Sequence, residues 1–257
     1  MHNNEFEILY NLAENNDLYS VRRILDYYFN NKNEDYFQDE TINLDSEKIL
    51  NYINLLIENN DSNAMTLLGG LYYDGIDGIV EQDYSKAEYW YNEASNKKPL
   101  DVYNINPDAL NNLGYVYSYG RTNNKDFKKA FYYFGKAACL GHPNAMYKIG
   151  DMYKYGNYVD KNNDKAFYWY KNAYTHAENN DYIIASVALR LGESYLYGYG
   201  TEISLLKSLK YLQIAERRMY KMVIIKQIPS NSMYIDKPLK NVQNLLKIVH
   251  DELTKLL

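Results

Sequence analysis

The chain has 257 residues with a formal net charge of −5, and 46% of its residues are hydrophobic. This apolar fraction is sufficient for a packed core. The acidic balance disfavours a nucleic-acid partner, because phosphate binding requires a basic face. No stretch contains the roughly 18 apolar residues that a membrane-spanning helix needs, so we expect neither a nucleic-acid nor a membrane partner.

The N-terminal 60 residues predict helices without a clear repeat. Residues 5–14 and 18–30 have helical apolar spacing, whereas residues 31–45 are polar and acidic and predict a loop. Residues 46–59 (SEKILNYINLLIEN) predict a third helix, which resembles a degenerate second helix of the repeat described below, with Lys48, Ile49 and Tyr52 at the matching positions. The opening residues are acidic and contain no long apolar core, so we expect no secretory signal.

From residue 63 onward, one segment occurs four times with the same residues at the same spacings, starting at Ala64, Ala109, Ala145 and Val187. Each copy contains a Leu or Ile followed by Gly, then a Tyr three residues later and a second Gly three residues beyond that. The first Gly costs about 1 kcal/mol of helix propensity relative to Ala. Its recurrence therefore predicts that another helix approaches too closely for a side chain. The second Gly predicts a left-handed helix C-cap.

A second block follows each copy and predicts a partner helix. The blocks are KAEYWYNEA from Lys86, KAFYYFGKA from Lys129, KAFYWYKNA from Lys165 and KSLKYLQIA from Lys207. Asp83 and Asp126 stand where the N-cap of such a helix is expected. Small and aromatic residues share one face, as interlocking helices require, so we interpret these aromatics as packing residues. Two helices per repeat, with starting residues 36 to 45 residues apart, indicate a helical solenoid.

The C-terminal segment predicts a loop followed by one amphipathic helix. Pro229 and Pro238 bracket the loop, and apolar residues recur with helical spacing from Leu239 to Leu256. Solenoids need end caps that cover their terminal apolar faces, so we assign capping roles to both ends of the chain. Pairing with a second copy of the chain is the alternative role for the C-terminal helix.

The stretches AMTLLGGLYYDG, ALNNLGYVYSYG and AMYKIGDMYKYG, each followed by its KA block, resemble the Sel1-like repeat family, a relative of the tetratricopeptide repeat. The resemblance covers about Asn63 to Arg217 and is weaker in the fourth repeat. It implies an all-α, right-handed α/α superhelical solenoid with diverged capping helices. We predict an N-terminal cap over 1–60, four repeats within 61–222 (about 63–99, 108–143, 144–180 and 186–222), and a C-terminal loop and capping helix over 223–257.

The resemblance also implies where a partner binds, because the first helix of each tetratricopeptide-like pair lines the concave face. The groove positions lie one residue before and two, six, nine and ten residues after each starting residue. Six of these twenty positions are Tyr, compared with 31 Tyr in 257 residues overall. Tyrosine provides rigid contact area at low entropy cost, so we predict a Tyr-rich groove. Its predicted partner-binding residues are Tyr73, Asp74, Asn111, Tyr115, Tyr119, Tyr147, Asp151, Lys154, Tyr155, Glu193 and Tyr197.

These features predict a non-catalytic, cytoplasmic interaction scaffold or adaptor that holds an extended or helical segment of another protein. Asp74, Asp108, Asp151 and Glu193, against Lys154 alone, make the predicted groove acidic, so we expect a neutral or basic segment. One alternative is an inhibitor or immunity-type protein that blocks a partner enzyme, and another is a hydrolase. A further alternative for single tyrosines of the groove is packing between neighbouring repeats.

The chain contains no recognisable catalytic or metal-binding motif. Its four histidines lie outside metal-ligand spacings such as H-E-x-x-H, and one cysteine cannot supply a zinc cluster. No P-loop or G-x-S-x-G elbow occurs. We therefore expect no enzymatic activity, no metal and no cofactor. The single cysteine, Cys139, lies in an apolar run and is predicted to be a small buried hydrophobe.

Overall fold

A computed structural model describes residues 3–30, 44–96, 105–178, 180–225 and 235–256. Within these ranges the chain forms twelve α-helices and no β-strand, apart from one isolated bridge between Ile76 and Val80. The helices are α1 (Asn3–Glu14), α2 (Leu18–Asn30), α3 (Ser46–Glu58), α4 (Ser62–Asp74), α5 (Tyr84–Ser95), α6 (Pro107–Tyr119), α7 (Phe127–Cys139), α8 (Pro143–Tyr155), α9 (Asn163–His176), α10 (Asp181–Tyr197), α11 (Leu205–Ile225) and α12 (Asp236–Thr254). The loops predicted at 31–45 and around Pro229 lie largely outside the described residues.

Contacts divide the chain into two compact units, Met1–Asn112 and Leu113–Leu257, and the boundary falls within α6. In the first unit, α2 packs against α1 and α3, and α4 packs against α3 and α5. Ile24, Ile53 and Leu68 belong to one buried cluster, so the N-terminal helices share a core with the first repeat. Asp61 caps α4 and also accepts a hydrogen bond from Arg22 Nε of α2 at 2.5 Å.

In the second unit, α8 pairs with α9 and α10 with α11, and α12 packs along α11. The buried stripe of α12, including Val242, Leu245 and Val249, joins Leu212 and Met219 of α11 in one core cluster. The apolar stripe of α12 is therefore covered within the unit.

The first Gly of every repeat meets a buried side chain of the partner helix at very short range. A Cβ atom added to Gly150 would lie 2.6 Å from the Tyr170 ring, and one added to Gly114 would lie 2.5 Å from the Phe134 ring. Gly69 faces Tyr91 at 2.7 Å in the same way, and Gly192 faces Leu212 at 2.7 Å. The predicted close approach of a second helix is therefore confirmed.

A Lys–Tyr contact also recurs in each repeat and links the two helices. The Lys that opens the second block places its ammonium group over the ring of the Tyr that follows the first Gly by three residues. The Nζ-to-centroid distances are 5.0 Å for Lys86–Tyr72, 4.8 Å for Lys129–Tyr117, 5.2 Å for Lys165–Tyr153 and 5.2 Å for Lys207–Tyr195. These distances fit cation–π attraction, so this pair of repeat residues has a structural role.

The two predicted N-caps are found, and left-handed glycine C-caps end α8 and α10, whereas Gly75 ends α4 with ψ of 118°, outside the left-handed helical region. The side chain of Asp83 accepts hydrogen bonds from the backbone of Ser85 and Lys86, and Asp126 accepts one from Lys129. Gly156 and Gly198 close α8 and α10 in the left-handed conformation, with φ of 72° at each. Glycine adopts this conformation without the steric cost that a Cβ atom imposes.

The prediction of a buried cysteine is wrong, because Cys139 is exposed at the end of α7. Ala137 and Ala138 take the buried positions instead. One residue advances about 100° around an α-helix, so Cys139 leaves the face that its two neighbours share. An apolar run at a helix end does not by itself identify which of its members faces the core.

We predict that Gly150→Ala destabilises the second unit by about 2 kcal/mol, because the added methyl group overlaps the buried Tyr170 ring. Gly135→Ala is the matched control, since it lies within α7 and a Cβ there meets nothing within 4 Å. This control should gain up to about 1 kcal/mol of helix propensity. Urea denaturation of both variants measures the difference, and equal effects would contradict the steric interpretation.

Candidate partner-binding surface

Three exposed tyrosines of the second unit end the first helices of the second, third and fourth repeats. Tyr119, Tyr155 and Tyr197 are the last residues of α6, α8 and α10, and their side chains are 51%, 55% and 44% exposed. Each occupies the same repeat position, directly before the Gly that ends the helix. We call these three residues the tyrosine row. Exposed aromatic rings at equivalent positions present large, rigid contact areas to solvent.

Two other predicted groove tyrosines serve packing in the second unit. Tyr147 is only 8% exposed, and its ring centroid lies 6.2 Å from that of Tyr170. Tyr115 is half-buried with its ring edge-on to Phe134 at 5.4 Å, and its hydroxyl accepts a hydrogen bond from Asn144 Nδ2 at 2.9 Å. Tyr115 therefore connects the second repeat to the start of the third.

The first unit contains the three remaining N-terminal members of the prediction. Tyr73 is half-buried, with its ring edge-on to Tyr84 at 5.3 Å, and Asp74 is exposed at the end of α4. Asn111 is only 5% exposed, so its side chain offers little area to a partner. Its Oδ1 atom has no hydrogen-bond partner among the described residues.

A largely buried ionic network lies beside Tyr155 of the tyrosine row. Asp151 accepts hydrogen bonds from Arg190 Nε at 3.0 Å and from the Tyr170 hydroxyl at 2.7 Å. Arg190 Nη1 lies 3.5 Å from Glu193 Oε2, which also pairs with Lys154 Nζ at 2.5 Å. The four charged side chains are 14–19% exposed. The network therefore joins α8, α9 and α10, because each carboxylate has partners on a neighbouring helix.

The surroundings of Tyr170 and Arg190 fix the protonation of these two groups. Burial, reinforced by the negative charge of Asp151, raises the pKa of Tyr170, so its hydroxyl remains a hydrogen-bond donor. Burial of Arg190 opposes its charge, but the carboxylates of Asp151 and Glu193 more than offset this and raise the pKa of the guanidinium. Arg190 is therefore a permanent cation in the network.

The acidic groove predicted from the sequence omits two cations of the first helices, Arg190 and Lys148. Arg190 neutralises much of the charge of Asp151 and Glu193, and Lys148 Nζ lies 5.1 Å from the centroid of the Tyr115 ring. Arg190 and Lys148 share one repeat position, three residues after the starting residue, which the five groove positions omit. Applying the same count to this sixth position would have identified both cations from the sequence.

Among the described residues, no group of three or more His, Cys, Asp or Glu side chains is arranged to hold a metal ion. In the same part of the chain, no helix combines the length and apolarity required to cross a membrane.

We predict that Arg190→Met lowers the free energy of unfolding by about 3 kcal/mol, because Asp151 loses its ion-pair partner while largely buried. Lys240→Met is the control, since its pair with Asp236 is exposed at 71% and 40%. It should cost less than about 0.5 kcal/mol. The urea midpoints of the two variants provide the comparison. If Arg190→Met lowers the free energy of unfolding as little as the control does, the ion pair with Asp151 does not stabilise the unit as proposed.

Comparison with known proteins supports the repeat architecture. The Sel1 repeat family profile matches residues 62–98, 107–142, 143–176 and 185–218. A Sel1 repeat protein from Oxalobacter formigenes is 22% identical with a TM-score of 0.65, over 97% of this chain and 99% of that one. A protective antigen of uropathogenic Escherichia coli strains, described as displaying an SLR fold, is 22% identical with a TM-score of 0.64. The match covers 96% of this chain but only 48% of the antigen, so the chain spans about half of its length.

An immunity protein from Pseudomonas aeruginosa is also 22% identical, over 83% of this chain and 78% of that one, but its TM-score of 0.46 is too low to bear on fold or function. Curated proteins give no match to this chain. The structural likenesses confirm the predicted fold class, an all-α solenoid of Sel1-like helix pairs. Because the family profile matches more than half of the residues, the chain belongs to the Sel1 repeat family.

Proposed function

We propose that this protein is a non-catalytic interaction scaffold that holds a segment of another protein against the tyrosine row. Sel1 repeats generally mediate protein–protein interaction, and Sel1 repeat proteins are typically non-catalytic scaffolds. The single observation that carries the proposal is the exposure of Tyr119, Tyr155 and Tyr197 at one repeat position. Exposed tyrosines on a rigid framework are typical of residues that dominate binding energy.

Cations beside two of the three rings indicate the charge of the proposed partner segment. Arg121 Cζ lies 5.3 Å from the centroid of the Tyr119 ring, and Lys154 Nζ lies 5.5 Å from that of Tyr155. A basic segment gains little from this surface, because the nearby carboxylates of Glu193 and Asp151 are already paired with Lys154 and Arg190. We therefore propose a neutral or acidic segment with apolar or aromatic anchors, which differs from the neutral or basic segment expected from the sequence.

The test is a pull-down from cell lysate with a triple variant, Tyr119→Ala, Tyr155→Ala and Tyr197→Ala. These side chains are exposed, so we expect the variant to keep its helical content by circular dichroism. Removing three contact tyrosines should reduce recovery of a specific partner by about tenfold or more. Quantitative mass spectrometry compares the recovered proteins with those of the wild type.

The matched control removes three equally exposed tyrosines from the second helices. Tyr89, Tyr132 and Tyr168 share one position of the KA block and are 55%, 55% and 61% exposed. Their replacement by Ala should leave partner recovery unchanged. Equal losses in the two triple variants, or no loss in either, would reject the tyrosine row as the binding surface.

A further inference from the structure

We propose that the second unit contains a cleft that takes an apolar side chain of a partner segment together with a neighbouring acidic side chain. This inference rests on the proposed function, because it specifies the chemistry of the segment that the tyrosine row would hold. The cleft lies where the first turn of α12 meets α10 and the end of α11, and its volume is about 430 Å³. Such a volume falls in the range of natural ligand pockets.

The floor of the cleft is apolar. Ala185 and Leu189 of α10 and Met219 and Met222 of α11 line it, and all four side chains are buried. Methionine side chains are flexible and polarizable, so they adjust to the shape of different apolar groups. An apolar side chain entering the cleft would be removed from water against this floor, which is the main source of favourable binding free energy.

The charged residues that line the cleft are both cations. Arg190 and the exposed Lys237, in the first turn of α12, line the cleft, and no Asp or Glu of the described residues does so. Arg190 is balanced by Asp151 and Glu193. Lys237 forms no ion pair within the described residues, where its neighbour Asp236 pairs with Lys240 instead. A carboxylate next to the apolar side chain of the partner complements this cation.

Arg190, which lines the cleft, also contacts a member of the tyrosine row. The Cζ atom of Arg190 lies 6.0 Å from the ring centroid of Tyr147, which lines the cleft, and 5.9 Å from that of Tyr155 in the row. One continuous segment can therefore contact the Tyr155 ring and place an apolar side chain in the cleft. The acidic residue beside that side chain then fixes the direction of the segment.

The experiment selects peptides from a phage-displayed library of random sequences on the immobilised full chain. We expect enriched peptides to carry an apolar residue next to Asp or Glu. Synthetic versions of these peptides are then titrated by fluorescence polarisation against wild type and variants. Lys237→Glu places like charges together and should weaken binding by about tenfold. A peptide with its acidic residue changed to Lys should recover affinity on this variant.

One further variant tests the apolar contribution of the cleft to binding, and a second is a control for the charge reversal. Ser186→Leu partly fills the cleft from α10 and should remove the requirement for the apolar residue, with retained folding checked by thermal melting. Lys247→Glu reverses a charge on the exposed face of the same helix outside the cleft and should leave binding unchanged. Failure to enrich any peptide, or equal effects of Lys237→Glu and Lys247→Glu, would overturn the cleft proposal.

The outcomes distinguish this proposal from the proposed function. Peptides that lose affinity when the tyrosine row is replaced, but tolerate Lys237→Glu and Ser186→Leu, would reject the cleft and retain the row. Peptides that lose affinity with Lys237→Glu and Ser186→Leu, but tolerate replacement of the tyrosine row, would support the cleft. The same result would reject the row as part of the binding surface of these peptides. Loss of affinity with both sets of variants, but not with Lys247→Glu, is the result that supports one segment lying across both.

Discussion

The contact between the first-helix Gly and the buried side chain of the second helix determines how closely the helices of each repeat approach. In the third repeat, the Tyr170 ring lies against Gly150, where a side chain would overlap it. This position brings the Tyr170 hydroxyl to Asp151, which in turn holds Arg190. The guanidinium of Arg190 lies beside the Tyr155 ring. A steric requirement inside the repeat is thus connected by direct contacts to the proposed binding surface.

Tyrosine recurs at two positions of the first helices, and these positions lie two residues apart. Tyr153 and Tyr195 lie under the Lys side chains of the second helices, whereas Tyr155 and Tyr197 are exposed. Two residues correspond to about 200° around an α-helix, which explains why the tyrosine at one position packs within the repeat and that at the other faces solvent. The high tyrosine content of the chain therefore serves both structure and, in our proposal, partner contact.

Charge on the proposed surface depends on pairing between repeats more than on the number of acidic residues. Asp151 is held by Arg190 from α10, and Glu193 by Lys154 from α8, so each helix supplies the counter-ion of the other. A largely buried carboxylate requires such a partner, because desolvation would otherwise make its charge costly. In our proposal, Lys237 at the cleft then favours a neutral or acidic segment.

The sequence by itself determined the helices, the repeat period and the Sel1 family, because tight helix packing requires the same small and large residues at fixed spacings. The resemblance to tetratricopeptide-like repeats also made Tyr119, Tyr155 and Tyr197 candidates, because it implies that the position ten residues after each starting residue lies in the groove. Only the tertiary structure decided that Tyr147 is buried and that Cys139 is exposed. Burial and ion pairing depend on which side chains of neighbouring helices meet, and residues far apart in sequence, such as Arg190 and Asp151, meet only once the helices have packed.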